Sequence, residues 1–180
     1  GCSTGTTLKI LSKKLFEMGL HPHLIGVDSS KPMLEQAKIK LDGSFGKIDI
    51  LNEDLTNFDF KNSADLILMN YTLQFIPTEK RPELLKKIYN SLRPNTYFLL
   101  TEKIKTQRND FDDLITDLYY DFKTRNGYSK LEIAQKREAL ENVMKPITPE
   151  EQLKALSLCG FKKSEMIFRW YNFACYLCLK

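Results

Sequence analysis

The chain is poor in the residues that build metal centres and disulfide frameworks. It carries two histidines, His21 and His23, both in a turn leading into an apolar run, and four cysteines, Cys2, Cys159, Cys175 and Cys178. Cys175 and Cys178 have C-x-x-C spacing, but Phe173 to Leu179 reads as a strand, where residues three apart point to opposite faces. No second pair completes a zinc site, so no metal is expected. The expectation is buried free thiols and a reducing, cytoplasmic setting. No apolar run approaches bilayer length, no signal-peptide pattern is visible, and no membrane partner is expected. Charge is slight: 27 Lys and Arg against 23 Asp and Glu, net +4. The lysines are scattered, which argues against direct nucleic-acid binding and leaves an anionic small substrate unopposed. There is no internal repeat, low-complexity segment or linker.

What is present begins with Gly1-Cys2-Ser3-Thr4-Gly5-Thr6-Thr7. Two glycines four apart make a loop that bends sharply and lets a ligand approach the backbone. A helix follows, with Leu8, Leu11, Leu15 and Met18 on one face and Gly19 at the C-cap position. Its N-terminus offers free N–H groups. Next comes His23-Leu24-Ile25-Gly26-Val27-Asp28, an apolar strand ending in a carboxylate placed to accept hydrogen bonds from two ribose hydroxyls. Ser3 stands where the dinucleotide fingerprint needs its second glycine. The loop therefore suits a nucleoside without phosphates, and S-adenosylmethionine (SAM) is the candidate. A strand is expected before this loop, outside the sequence given.

Further along, Ser30-Lys31-Pro32 opens a helix with Ser30 as N-cap. Lys47–Leu51 is a strand, followed by Asn52-Glu53-Asp54-Leu55, where the acid suits the exocyclic amine of adenine and Leu55 its ring. Asp65–Asn70 reads as a central parallel strand, apolar through its middle. Asn70 at its carboxyl end is placed for the amino-acid part of SAM, with Tyr71, Gln74 and Phe75 as walls. A helix from Thr78 to Leu92, a turn at Arg93-Pro94-Asn95-Thr96 and a strand from Tyr97 to Lys103 follow. Two consecutive helices then break the alternation, one from about Asp110 and one from about Ser129 to Met144. Residues 109–146 read as an inserted lid or dimerisation arm within a single domain, 1–180. Thr148-Pro149-Glu150-Glu151 is a capping box. Two last strands, about 162–169 and 171–179, must be antiparallel. The fold class is α/β: a Rossmann-like methyltransferase fold, mostly parallel, with a C-terminal antiparallel hairpin.

Asn70-Tyr71-Thr72-Leu73-Gln74-Phe75, Asp121-Phe122-Lys123, Asn126-Gly127-Tyr128-Ser129, Gln135-Lys136-Arg137 and Leu140-Glu141-Asn142-Val143-Met144 together resemble the bacterial carboxy-S-adenosyl-L-methionine synthases. The resemblance covers essentially the whole chain, and the inserted helices are its most specific part. It implies an enzyme that converts SAM and prephenate, through a sulfonium ylide, into carboxy-SAM and phenylpyruvate. A tRNA carboxymethyltransferase then uses the product in wobble-uridine modification. It implies SAM-binding positions at Gly1, Cys2, Ser3, Asp28, Ser29, Asp54, Leu55 and Asn70. Arg137 would pair with the new carboxylate, reaching across a homodimer interface. Lys103 and Tyr128 are candidates for the prephenate carboxylates. Ser29 stands where the family often has Asn, and Asn95-Thr96 replaces a glycine pair. The competing readings are an ordinary SAM-dependent methyltransferase and a non-catalytic SAM-binding subunit.

Overall fold

The computed structural model describes residues 1–61, 64–141 and 143–180; Asn142, part of the resemblance, lies outside them. The chain divides into two compact units, Gly1–Asp59 and Phe60–Lys180.

The first unit contains α1 (Thr6–Glu17), β1 (His23–Asp28), α2 (Lys31–Leu41) and β2 (Lys47–Asn52). β1 and β2 pair in parallel, from His23 beside Lys47 to Asp28 beside Asn52. Leu8, Ala37 and Leu41 form the core, with Cys2, Leu24, Ile48 and Ile50 packed on it. The close approach turns on Gly26. A Cβ there would lie 2.6 Å from Leu8 Cδ1 and 2.9 Å from Ile50 Cδ1, so only glycine lets these side chains close over β1. Gly19 follows α1 with φ 76°, as the sequence predicts. Ser30 differs from its expected role. It sits at the N-cap of α2, but its hydroxyl makes no capping bond. Its N–H donates instead to Asp28 Oδ1 at 2.9 Å, which fixes the chain's entry into the helix from outside it.

The second unit runs β3 (Ala64–Asn70), α3 (Arg81–Ser91), β4 (Leu92–Lys103), α4 (Asn109–Arg125), α5 (Lys130–Glu141), α6 (Pro149–Leu158), β5 (Lys163–Trp170) and β6 (Phe173–Leu179). Its sheet has the order β3-β4-β6-β5. β3 and β4 are parallel, and β6 is antiparallel to both its neighbours, which gives the expected C-terminal hairpin. Leu84, Leu85 and Ile88 of α3, Phe98 and Leu100 of β4, Leu156 of α6, Phe161 just before β5 and Tyr176 of β6 are all fully buried. The Phe98 and Phe161 rings stack at 5.4 Å.

Two details depart from the sequence pattern. The helix expected from Thr78 is a short 3₁₀ turn, Thr78–Lys80, followed by α3. Pro82 explains the break, since its ring fits only the first helical turn. Arg93–Thr96 is not a free turn but a bulge within β4, where the register slips between the Ala64 and Leu66 pairings. Asn95 takes φ 60°, a conformation asparagine tolerates. Thr148 and Glu151 do form the predicted reciprocal capping box on α6, at 3.2 and 2.8 Å. No helix among the described residues is long and apolar enough to cross a membrane.

Candidate active site

In the first unit the glycine loop folds onto the carboxyl end of β1. Gly1 N and Cys2 N donate to Val27 O at 2.7 and 3.0 Å, and Gly5 N donates to Cys2 O at 3.0 Å. Gly5 precedes α1 with φ 74°, and a Cβ there would meet Leu41 Cδ1 at 3.1 Å, so both backbone and space require glycine. Ser3, also at positive φ, donates its N–H to Asp28 Oδ2 at 2.8 Å. With Ser30 N on Oδ1, both Asp28 oxygens are held by backbone donors. The carboxylate is half-buried and its oxygens retain lone pairs for two further donors, the arrangement a vicinal diol needs. Ser29 is exposed beside it. Cys2 is half-buried, and burial raises its thiol pKa, so it acts as a small packed group in the loop.

Asp54 and Leu55 follow β2 in a turn closed by Asn57 N on Asp54 O at 3.0 Å. Asp54 is exposed, and its Oδ1 accepts from both Thr56 N and Thr56 Oγ1 at 2.8 Å; Leu55 is half-buried. Asn52 Nδ2 and Glu53 N both donate to Asp28 O, at 3.0 and 3.2 Å, so this turn is tied to the residue that ends β1. The structure therefore draws Gly1, Cys2, Ser3, Asp28, Ser29, Asp54 and Leu55 onto the carboxyl ends of two adjacent strands.

In the second unit Asn70 ends β3 half-buried, and Tyr71 follows at φ 54° with its N–H on Thr101 O at 2.6 Å. Glu102 shapes what comes next. It is 3% exposed, and its carboxylate accepts Thr72 N and Leu73 N on Oε1, both at 2.9 Å, and Gln74 N on Oε2 at 2.8 Å. Burial pushes its pKa up to about 7, against the pull of those donors and of Arg81. Arg81 is itself buried, with its guanidinium on Gln74 O at 3.1 Å and Ile76 O at 2.9 Å. Gln74, expected as a wall of the site, is 6% exposed and turned inward, with Oε1 accepting Lys103 N at 2.8 Å. Tyr71 and Phe75, the other two expected walls, are exposed. Sequence reasoning did not single out Glu102, because its partners are backbone groups, which carry no residue signal.

The same unit holds a group of rings. Phe173 meets Tyr71 at 5.6 Å and Tyr119 at 5.1 Å, and Trp170 meets Phe122 at 4.8 Å. Lys123 Nζ lies 5.4 Å from the Tyr119 ring centre and 5.5 Å from that of Tyr128. Arg137, on α5, is exposed, and its charge is felt at Tyr120, whose pKa is raised first by burial and then held down by that cation. All four cysteines are free thiols, and among the described residues no group of His, Cys, Asp and Glu is arranged to hold a metal.

Comparison with known proteins agrees with this geometry. Residues 1–95 match the family model of a methyltransferase domain. The chain is 44% identical over 180 residues to a carboxy-S-adenosyl-L-methionine synthase of Nautilia profundicola, spanning all of this chain and 75% of that protein. It is 42% identical over the same span to the synthase of Sulfurimonas denitrificans, again covering 75% of it. Among solved structures, human N-acetylserotonin methyltransferase in complex with SAM superposes with a TM-score of 0.62 at 18% identity, over all of this chain and 46% of that one. That likeness establishes the Rossmann-like fold, while the closer relatives establish the family. The chain belongs to the carboxy-S-adenosyl-L-methionine synthases, enzymes built on a methyltransferase fold.

Proposed function

We propose that this chain converts SAM and prephenate into carboxy-SAM, phenylpyruvate and water. The reading rests above all on its 44% identity, over its whole length, to a relative named for that product. Prephenate loses its carboxyl group and its hydroxyl; the hydroxide takes a proton from the SAM methyl; the resulting ylide carbon bonds to the released carboxyl carbon. The product serves a partner tRNA carboxymethyltransferase in the cytoplasm.

Asp28 binds the ribose diol and Ser29 adds a hydrogen bond beside it. Gly1, Cys2 and Ser3 present backbone to the ligand, Asp54 and Leu55 hold adenine, and Asn70 holds the amino-acid end. The half-buried Asp28, its two oxygens already oriented by Ser3 and Ser30, supports the ribose assignment. Arg137 grips the new carboxylate, since a guanidinium spans both oxygens at once. Its exposure and lack of any hydrogen bond or ion pair among the described residues leave it free to reach a second copy. Phe111, Leu114 and Leu118 of α4, 51%, 52% and 46% exposed, supply an apolar face for that copy in a homodimer. The aromatic cover keeps water from reprotonating the ylide. The test is to incubate the protein with SAM and prephenate and follow carboxy-SAM and phenylpyruvate by mass spectrometry. Equimolar appearance of both supports the synthase. Consumption of SAM to its demethylated product identifies a methyltransferase, and binding without conversion identifies a non-catalytic subunit.

A further inference from the structure

Gln74 joins separate parts of the second unit. Its N–H donates to Glu102 Oε2 at 2.8 Å, and its Oε1 accepts Lys103 N at 2.8 Å. Its carbonyl accepts Arg81 Nη2 at 3.1 Å and Lys145 N at 2.9 Å, which uses both lone pairs of that oxygen. Glu102 and Lys103 end β4, Arg81 opens α3, and Lys145 lies on the chain leaving α5. Gln74, Glu102 and Arg81 are all buried, so these bonds are shielded from water. The helix α5 depends on such a tie. Among its described residues Ile133 alone is buried, so packing holds it weakly. Val143 N and Met144 N close its end on Leu140 O, at 3.2 and 2.9 Å, and Lys145 follows directly. Lys105 N then donates to Ile147 O at 3.2 Å, and Ile147 bridges Ile104. The chain leaving α5 is thus laid along the end of β4, and Arg137 stands one turn before Leu140.

We propose that Gln74 is a positioning residue for carboxylate recognition: its carbonyl anchors the chain leaving α5 and so fixes Arg137 relative to the loop after Asn70. Glu102 and Arg81 act through it, the first by holding the Gln74 N–H and the second by filling the other lone pair of its carbonyl. This rests on the synthase reading, in which Asn70 meets the amino-acid end of SAM and Arg137 the new carboxylate. A guanidinium grips two carboxylate oxygens only when its plane is aligned with them, so its support must be rigid. An exposed arginine on a lightly packed helix gains that support from a bond to the buried frame. In a homodimer the same tie sets the Arg137 that each copy lends to the other. The Lys145 side chain is exposed, so its N–H is the part that carries the link.

That N–H can be removed selectively. Lys145 precedes Pro146, which already favours extended backbone at this position, so Lys145→Pro deletes the donor and Lys145→Ala keeps it. SAM and carboxy-SAM are titrated by calorimetry into the unmutated protein and into Lys145→Pro, Lys145→Ala and Arg81→Lys, and carboxy-SAM formation from SAM and prephenate is measured on each. Lys145→Pro is expected to reduce the preference for carboxy-SAM about tenfold, less than the roughly 100-fold that a misplacement of about 1 Å can cost. Its SAM affinity should stay within about twofold, and Lys145→Ala should match the unmutated protein. Arg81→Lys keeps the charge but not the fork across Gln74 O and Ile76 O, and should reduce the preference about threefold. An unchanged preference in Lys145→Pro overturns the proposal, as does an equal loss in Lys145→Ala. A fall in SAM affinity as large as that in carboxy-SAM affinity gives Gln74 a structural role only and also overturns it. In each of these cases carboxy-SAM formation by the unmutated protein leaves the synthase reading standing. No preference and no carboxy-SAM formation in the unmutated protein overturns both.

Discussion

Asp28 and Glu102 are both carboxylates at the carboxyl ends of strands, and both are held by backbone N–H groups, yet the two are put to opposite uses. Asp28 accepts one donor on each oxygen and stays half-buried, with room for a ligand. Glu102 accepts three donors and is sealed from solvent. The first is oriented by the chain so that it can bind something else. The second is the thing bound: it stands in for the strand partner that Thr72, Leu73 and Gln74 lack, and so sets the path of the chain after Asn70. Exposure separates two carboxylates of otherwise similar geometry, one open to further donors and one closed over by the loop it shapes.

The largest expected effect of breaking this contrast is at Glu102. Glu102→Ala leaves three amide donors without their acceptor, at about 1–3 kcal/mol each when buried. A loss of about 3 kcal/mol or more in urea unfolding is expected. Glu102→Gln, which keeps an acceptor, should lose clearly less. Asp28→Ala comes next. Removing a charged acceptor of about two ligand hydrogen bonds, each worth about 1.5–3 kcal/mol, predicts SAM and carboxy-SAM affinities weakened together by about 100-fold or more in calorimetry. Unchanged affinity would reject Asp28 as the ribose partner.

The pH response sharpens the same contrast. The Glu102 pKa is raised in the folded protein to about 7, from an ordinary carboxyl value of 4.5. Between those values the folded state holds more protons than the unfolded one, so its contribution is fully present below about pH 4.5 and is lost as pH rises through about 7. Urea titrations from pH 4.5 to 7.5 should show a decline in stability that is smaller in Glu102→Gln. An identical decline in the two proteins would remove Glu102 as its source. Arg137→Ala should leave SAM binding intact and reduce the preference for carboxy-SAM about tenfold. The smallest effect is expected far from both carboxylates: Thr148→Ala removes the α6 cap and should cost about 1 kcal/mol.

The position of Asp28 was legible in the sequence because an apolar run ending in an acid, behind a glycine loop and a helix, puts that acid at the carboxyl end of a strand beside the loop. The loop, the capping box on α6 and the C-terminal hairpin were legible for the same reason: each depends on residue types at fixed offsets. Glu102 was not, because Leu100-Thr101-Glu102-Lys103 reads as an ordinary strand end. Its donors lie 28 to 30 residues away, and any residue except proline would supply them. Ser30 misled in a related way. Its position and type suit a side-chain cap, but the Asp28 carboxylate two residues earlier reaches its N–H.

The measurement that tests the central claim most directly is mass spectrometry of the small molecules released when the purified protein is denatured. The account predicts a species heavier than SAM by one carboxyl unit in place of a hydrogen, present in the unmutated protein and lost from Asp28→Ala. Recovery of SAM alone, unchanged even after incubation with prephenate, would contradict it.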